Sequence, residues 1–305
     1  MREETINRTI SALHEKGYAV TTFFRTNTCF DLIAVKGNKK LIVKIYENID
    51  SIRKEQGEEL RKLGSVLEAN CVIIGKKTKV FGLENGVVYE RYGIPVVTIG
   101  TFEKALENEL PKVRHFKGKN IVEINFEKLR EKREEMELSM DELSKKLGVA
   151  SETLYRFEKG ASTSLETAKK MEEHLHQGFV KEISLLGNRP EKEEFDEEPG
   201  EKLLERIREL GVKMALFRHS PFDAYGSAVE GIFISTGKGK FDIPRKAAEL
   251  KKMRGASDAD SIIIAKEFGR RSIDDVPIIF EEELYSISKL KDLKKMMRER
   301  EENEK

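Results

Sequence analysis

The chain has no tryptophan, only two cysteines and seven prolines among 305 residues, and almost no net charge. Each scarcity excludes something. One possible cysteine pair, Cys29 and Cys71, cannot staple a chain this long, and the spacing is not that of metal ligands. The five histidines (His14, His115, His174, His176, His219) do not cluster with the cysteines. No metal or cofactor site is therefore expected. There is no apolar run of about 18 residues, so no membrane span is read. The polar start MREETINRTI is helix-like and unlike a signal peptide. A cytoplasmic chain in a reducing compartment is the expectation. Lys and Arg (56) nearly cancel Asp and Glu (55), which rules out a globally basic nucleic-acid coat and an acidic tail. A local basic patch stays open.

What is present is charge, 36% of all residues, and enough apolar residues, 38%, for several small cores. That length and balance predict two or three domains. Residues 1–110 read as α/β. An amphipathic helix carries Ile6, Ile10 and Leu13 and ends at Gly17. Strand-like runs follow at 19–24, 31–35 and 40–46, with Lys36-Gly37-Asn38-Lys39 as a hairpin signal. A helix at about 50–67 precedes the apolar runs 71–74 and 95–99. Residues 121–180 read as short helices separated by Gly148 and Gly160, with no strand after Ile124. Before them, 111–120 carries Lys112, Arg114, His115, Lys117 and Lys119 without an acid, a basic arm. Residues 187–200 have Pro and Gly at both ends and acids between, the composition of a linker or exposed loop.

Residues 201–305 look like a second copy of the first α/β domain. Laid without gaps, 58–77 and 248–267 share seven of 20 positions, among them Glu59/Glu249, Lys62/Lys252, Ile73/Ile263 and Ile74/Ile264. Each window is followed by an apolar run around a proline, Pro95 or Pro277. Phe24-Arg25 and Phe217-Arg218 stand at similar distances before Phe30-Asp31 and Phe222-Asp223. The segment Thr236-Gly237-Lys238-Gly239-Lys240 lacks the spacing of a phosphate-cradling P-loop and is expected to be a basic hairpin turn. The tail after Ile287 reads as a charged helix that is either solvated or packed.

The sharpest pattern lies at 139–160. Ser139 with Glu142 makes a capping box. The helix it opens ends at Gly148, and Ser151 opens another that ends near Lys159-Gly160. Leu143, Leu147, Val149, Leu154 and Phe157 would pack the pair together. Two short helices joined by a three-residue turn form a helix-turn-helix, whose second helix is sized for a DNA major groove. The features Leu143, small Ser144, Gly148-Val149, Ser151 and Arg156-Phe157-Glu158-Lys159-Gly160 resemble the lambda-repressor/Cro class of DNA-binding domains.

That resemblance implies a five-helix fold, sequence-specific binding of duplex DNA and often a homodimer. The class's base-contacting positions fall on Met140, Ser151, Glu152, Thr153 and Arg156. Arg156 would donate to guanine, Glu152 would accept from cytosine, and Ser151 and Thr153 would bond phosphates or base edges. Lys159 and residues 162–164 would face phosphates. Met140 stands where the class most often has Gln. Arg133 and Glu158 occupy the places of a structural pair. Residues 125–177 hold ten Lys and Arg against twelve Asp and Glu, a net charge of −2. A DNA face must then be locally basic, and the 111–120 arm is expected to add phosphate contacts.

The first domain resembles the restriction-endonuclease-like fold, shared by archaeal Holliday-junction resolvases, on the strength of Asp31 and Lys44. In those enzymes an acid two residues before the Lys helps to hold Mg²⁺. Here that position is Ile42, and Glu47 lies on the strand face opposite Lys44. No catalytic residue is therefore expected. Taken together, the chain resembles an archaeal helix-turn-helix regulator: flanking restriction-endonuclease-like α/β domains, the second a repeat, around a central all-α domain. The alternatives are a Mg²⁺-dependent DNA-processing nuclease and a protein-binding adaptor built on a helix-turn-helix.

Overall fold

A computed structural model describes residues 2–24, 28–186, 193–227 and 231–302. Arg25 and residues 187–192 of the expected linker lie outside the described residues. In chain order, the first α/β segment holds α1 (Arg2–Glu15), β1 (Ala19–Thr22), β2 (Leu32–Lys36), β3 (Lys39–Asn48), α2 (Lys54–Val66), β4 (Asn70–Lys77), β5 (Val87–Arg91), β6 (Ile94–Val97) and α3 (Ile99–Leu106). The middle holds β7 (Val113–Phe116), β8 (Lys119–Val122), α4 (Phe126–Glu135), α5 (Met140–Leu147), α6 (Ser151–Phe157) and α7 (Leu165–Leu175). The last segment opens with α8 (Lys202–Glu209), β9 (Lys213–Leu216), β10 (Ala224–Ser227), β11 (Gly231–Gly237) and α9 (Asp242–Gly255). It continues with β12 (Asp260–Ala265), β13 (Ser272–Ile273), β14 (Val276–Phe280), α10 (Glu281–Ser286) and α11 (Leu290–Glu302).

The chain forms two compact units. One comprises Met1–Ala12, Tyr46–Ser51 and Val72–Asn188, the other Leu13–Ile45, Ile52–Cys71 and Arg189–Lys305. In the first unit, α4 to α7 close over a core of Leu129, Leu143, Leu154, Met171 and Leu175. In place of a fifth helix, β-bridges between Val122 and Thr163 and between Ile124 and Val180 seal this core. The basic arm is a hairpin. β7 pairs antiparallel with β8 from Val113↔Val122 to Phe116↔Lys119, turning through Lys117 and Gly118 at φ 49° and 79°. Positive φ at both central residues matches the right-handed twist of the strands, and Lys-Gly supplies it without an Asn or Asp to advertise it.

In the second unit, strands run β13-β14-β12-β11-β10-β9, with β11, β12 and β14 mutually parallel and the rest antiparallel. The segment 236–240 is not the hairpin turn expected. It carries the chain from β11 into α9, which crosses over to the parallel β12, because Ile243, Ala247, Leu250 and Met253 present a helical apolar face. The tail helix α11 packs: Leu293 and Met297 are buried in this core, and Arg300 bonds the Glu283 carboxylate at 2.6 Å. Nor is all of 187–200 loose. Glu197 takes both Lys62 Nζ (2.8 Å) and Leu216 N (2.6 Å) on its carboxylate.

Local geometry repeats between the two α/β segments. The Phe23–Phe30 and Phe217–Phe222 ring pairs both stand 4.9 Å apart at 66°. Asp31 accepts from Ile45 N, and Asp223 from Thr236 N, each at 2.7 Å. The registers Ile73↔Val96 and Ile74↔Val97 recur as Ile263↔Ile278 and Ile264↔Ile279. Phe217 thus corresponds to Phe23 rather than to Phe24, since the loop to the second Phe is longer in the first copy. Within the second unit the two segments exchange contacts reciprocally. Lys62 lies 5.2 Å over the Phe217 ring, and its counterpart Lys252 lies 5.6 Å over Phe23. Buried Glu59 accepts from the N–H groups of Arg218 (2.9 Å) and His219 (2.8 Å).

Candidate nucleic-acid interface

Ser139 Oγ accepts from Glu142 N at 3.2 Å and the Glu142 carboxylate accepts from Ser139 N at 2.8 Å, closing the capping box that starts α5. The Ser139 hydroxyl, which also donates to the Glu142 carboxylate at 2.7 Å, and then the Ser139 N–H hold Glu142 below its usual carboxylate pKa. Gly148 ends α5 in the left-handed conformation, φ 67°. It stops the helix where the chain must turn, and a side chain there would be strained. Leu143, Leu147, Leu154 and Phe157 are buried between the helices, as the spacing required. Ser144, at the close approach, bonds across to Ser151 Oγ at 3.0 Å.

Arg133 of α4 grips Glu158, at the end of α6, with two hydrogen bonds of 2.6 and 3.1 Å, and donates a third to Leu138 O at 3.0 Å. Glu158 raises the Arg133 pKa further. This pair fixes the α6 C-terminus against α4 and has no orientation toward solvent.

The residues expected to read DNA divide by exposure. Glu152, Arg156 and Lys159 are exposed. Thr153 is half-buried. Ser151 is half-buried too, and its hydroxyl is already committed to Asp141 Oδ1 and Ser144. Met140 packs partly into the core, filling space rather than presenting a polar group. Tyr155 was not anticipated. Its ring is 54% exposed on α6 with Lys159 Nζ 5.6 Å from its centre. It sits one position before Arg156, and an aromatic at an outward helical position between two buried ones (Leu154, Phe157) was the available signal.

Charge in this domain is unevenly paired. On α4 and α7, Arg130, Lys132, Arg133 and Lys170 are engaged by carboxylates, while Lys128 and Lys169 are not among the described residues. Lys145 and Lys146 on α5, Arg156 on α6 and Lys159 just beyond it have no carboxylate within 4 Å among the described residues. The net −2 is therefore uneven: four of the six cations without an acid partner, Lys145, Lys146, Arg156 and Lys159, lie on or beside the helix-turn-helix. The adjacent hairpin is joined to the loop after α6, where Val122 and Thr163 exchange backbone bonds of 2.8 and 3.0 Å. Two of its cations are weakly held, Lys112 by Glu182 (3.7 Å) and Arg114 by Glu123 (3.6 Å). At the turn, Lys117 lies 5.2 Å over the exposed Phe116 ring.

In the first α/β segment, Asp31 is buried, with Lys44 Nζ 3.1 Å from Oδ1 and Ile45 N on Oδ2. Lys44 also donates to Thr28 O at 2.7 Å. Ile42 is fully buried, and no group of three or more metal-binding side chains occurs among the described residues. In the last segment Ser235 stands where Lys44 stands in the first, and Lys246 from α9 reaches Asp223 at 3.0 Å. Cys29 and Cys71 are free thiols, with burial raising the former to about 12 and the latter further. Such thiols are inert.

A family profile for the PD-(D/E)XK superfamily domain matches residues 2–111, and one for a helix-turn-helix matches residues 129–177. A protein of Archaeoglobus fulgidus named "Putative HTH-type transcriptional regulatory protein" is 34% identical over 97% of each chain. Similarly named proteins of Pyrococcus horikoshii (32%, 98% of each) and Methanococcus maripaludis (36%, 76% of this chain and 75% of that one) also match. There is no significant match among solved structures. Similarity at that level over nearly the whole length places the chain in this archaeal family of HTH-type transcriptional regulatory proteins.

Proposed function

We propose that the chain is a sequence-specific transcriptional regulator that lays α6 in the major groove of duplex DNA. The observation that carries this is the outward side of α6, where Tyr155, Arg156 and, just beyond the helix, Lys159 are exposed and the two cations have no acid partner among the described residues. Arg156 reads a guanine edge, Glu152 a neighbouring cytosine, and Thr153 and Ser151 adjoin the backbone at the helix start. Lys159 and the hairpin cations take phosphates. Met140 supports α5 from within. Two copies bind as a homodimer, so the recognised site is a pseudo-palindrome with half-sites about one helical turn apart. Selection of genomic fragments by the purified chain should enrich one such sequence. Uniform recovery of all fragments would defeat the regulator reading and leave the adaptor.

The α/β segment at 2–111 is, on this reading, a nuclease fold that does not cut. With Ile42 where the second acid would stand, one carboxylate is left, and Lys44 already neutralises it. A single buried carboxylate in an ion pair is a poor Mg²⁺ site. Branched and linear duplexes incubated with Mg²⁺ should stay intact. Cleavage abolished by Asp31→Asn would make the protein an enzyme after all. The repeated geometry supports a duplication, with 201–305 as the second copy.

A further inference from the structure

The second unit contains a cavity of about 1030 Å³ that the DNA-binding reading does not use. It opens beyond the carboxyl ends of the parallel strands β11 and β12, between the 238–241 loop and the 266–271 loop. In open sheets with parallel strands this is the crevice where ligands bind, because loops diverge there and helix N-termini point in. Four of its lining residues are cations, Lys238, Lys240, Lys266 and Arg270, and two are acids, Glu201 and Glu267.

None of these four cations has a carboxylate within 4 Å among the described residues. Glu201 is turned toward Thr236, which donates to it at 3.2 Å. Asp242, at the start of α9, is held by Arg245 (2.8 Å) and accepts from Lys238 N (3.3 Å). The excess of two positive charges in a concave site attracts an anion. Phe268, half-buried, and Ile273 give the same cavity an apolar wall. Gly237 lets α9 sit under the loop: a Cβ there would come within 2.4 Å of Ile243 Cγ1. Asp223 is closed off by Thr236 and Lys246, so the cavity does not depend on the position of the missing nuclease chemistry.

We propose that this cavity binds a phosphorylated small molecule of nucleotide size. Its phosphates rest among Lys238, Lys240 and Arg270 and its planar or apolar part lies against Phe268. Such a ligand gives a DNA-binding protein a chemical input, and the site stands whether or not α6 reads DNA. The test is calorimetric titration of the full chain with ADP and with pyrophosphate. Both should bind the wild type, ADP more tightly, and Lys238→Gln/Arg270→Gln should weaken both about tenfold or more. Lys289→Gln, an exposed change on the same segment, should not. The proposal fails if neither probe binds at millimolar concentration, or if the double variant binds as wild type does. It also fails if a random-sequence duplex displaces ADP, which would assign these cations to a DNA backbone.

Discussion

Glu158→Ala should loosen the whole helix-turn-helix domain, at a cost of about 3–5 kcal/mol. That is the usual penalty for removing one partner of a buried ion pair, because the remaining charge stays desolvated without compensation. Here Arg133 would be left at 13% side-chain exposure with the carbonyl of Leu138 to bond and only the exposed Glu134 carboxylate, 3.5 Å away, to offset its charge. The bonds it loses are two, 2.6 and 3.1 Å long. Because α4 holds the C-terminus of α6 through this pair, the loss should appear first as faster amide exchange in α4 and α6. The amides of β11 and β12, in the other unit, should keep their protection. The double change Arg133→Met/Glu158→Leu should recover much of the loss, since a packed apolar pair carries no desolvation penalty. Unchanged exchange in Glu158→Ala would show that core packing alone orients α6.

Arg156→Ala should cost about 1–3 kcal/mol of preference for the selected sequence, the range for a bidentate arginine–guanine contact. Competition between the selected fragment and one altered at a single G·C pair measures this directly. The loss should be concentrated at that pair, with little change in affinity for random duplex. Lys117→Gln/Lys119→Gln should do the opposite: the slope of log affinity against log salt should fall by about 2, one for each lost phosphate contact, and sequence preference should stay. The two variants separate reading from positioning. If Arg156→Ala discriminates as wild type does, α6 is not the reading helix.

Much of the central domain was legible because its signals are local and redundant. Ser139 with Glu142, Gly148, Ser151 and the four buried apolar positions each constrain the same two helices, and every one falls where expected. The likeness of the two α/β segments was legible for a similar reason: the registers around Pro95 and Pro277 follow matching apolar runs. Three features escaped, and each depends on partners distant in sequence. The 111–120 hairpin needs Val87 to pair with Val113 and Thr163 to pair with Val122, which composition does not announce. The turn at 236–240 was read from its glycines, when the apolar face of the following helix decides the direction of the chain. Ser151 looked available for DNA, but its hydroxyl is taken by Asp141 and Ser144, neighbours only after the turn has formed.

The hairpin between the two domain types has a mechanical consequence. β7 is paired on one edge to β5 and on the other to β8, whose last residue is stitched to the loop after α6. A slack tether would let the helices tumble freely and would lose any push from the sheet. Here the junction is made of backbone ladders with no loose links. A displacement of β5 by a fraction of an ångström has to be absorbed by moving Thr163 or by breaking a rung. On the DNA-binding reading, a load on α6 would reach β5 through these same rungs, as along a crank rather than a cord.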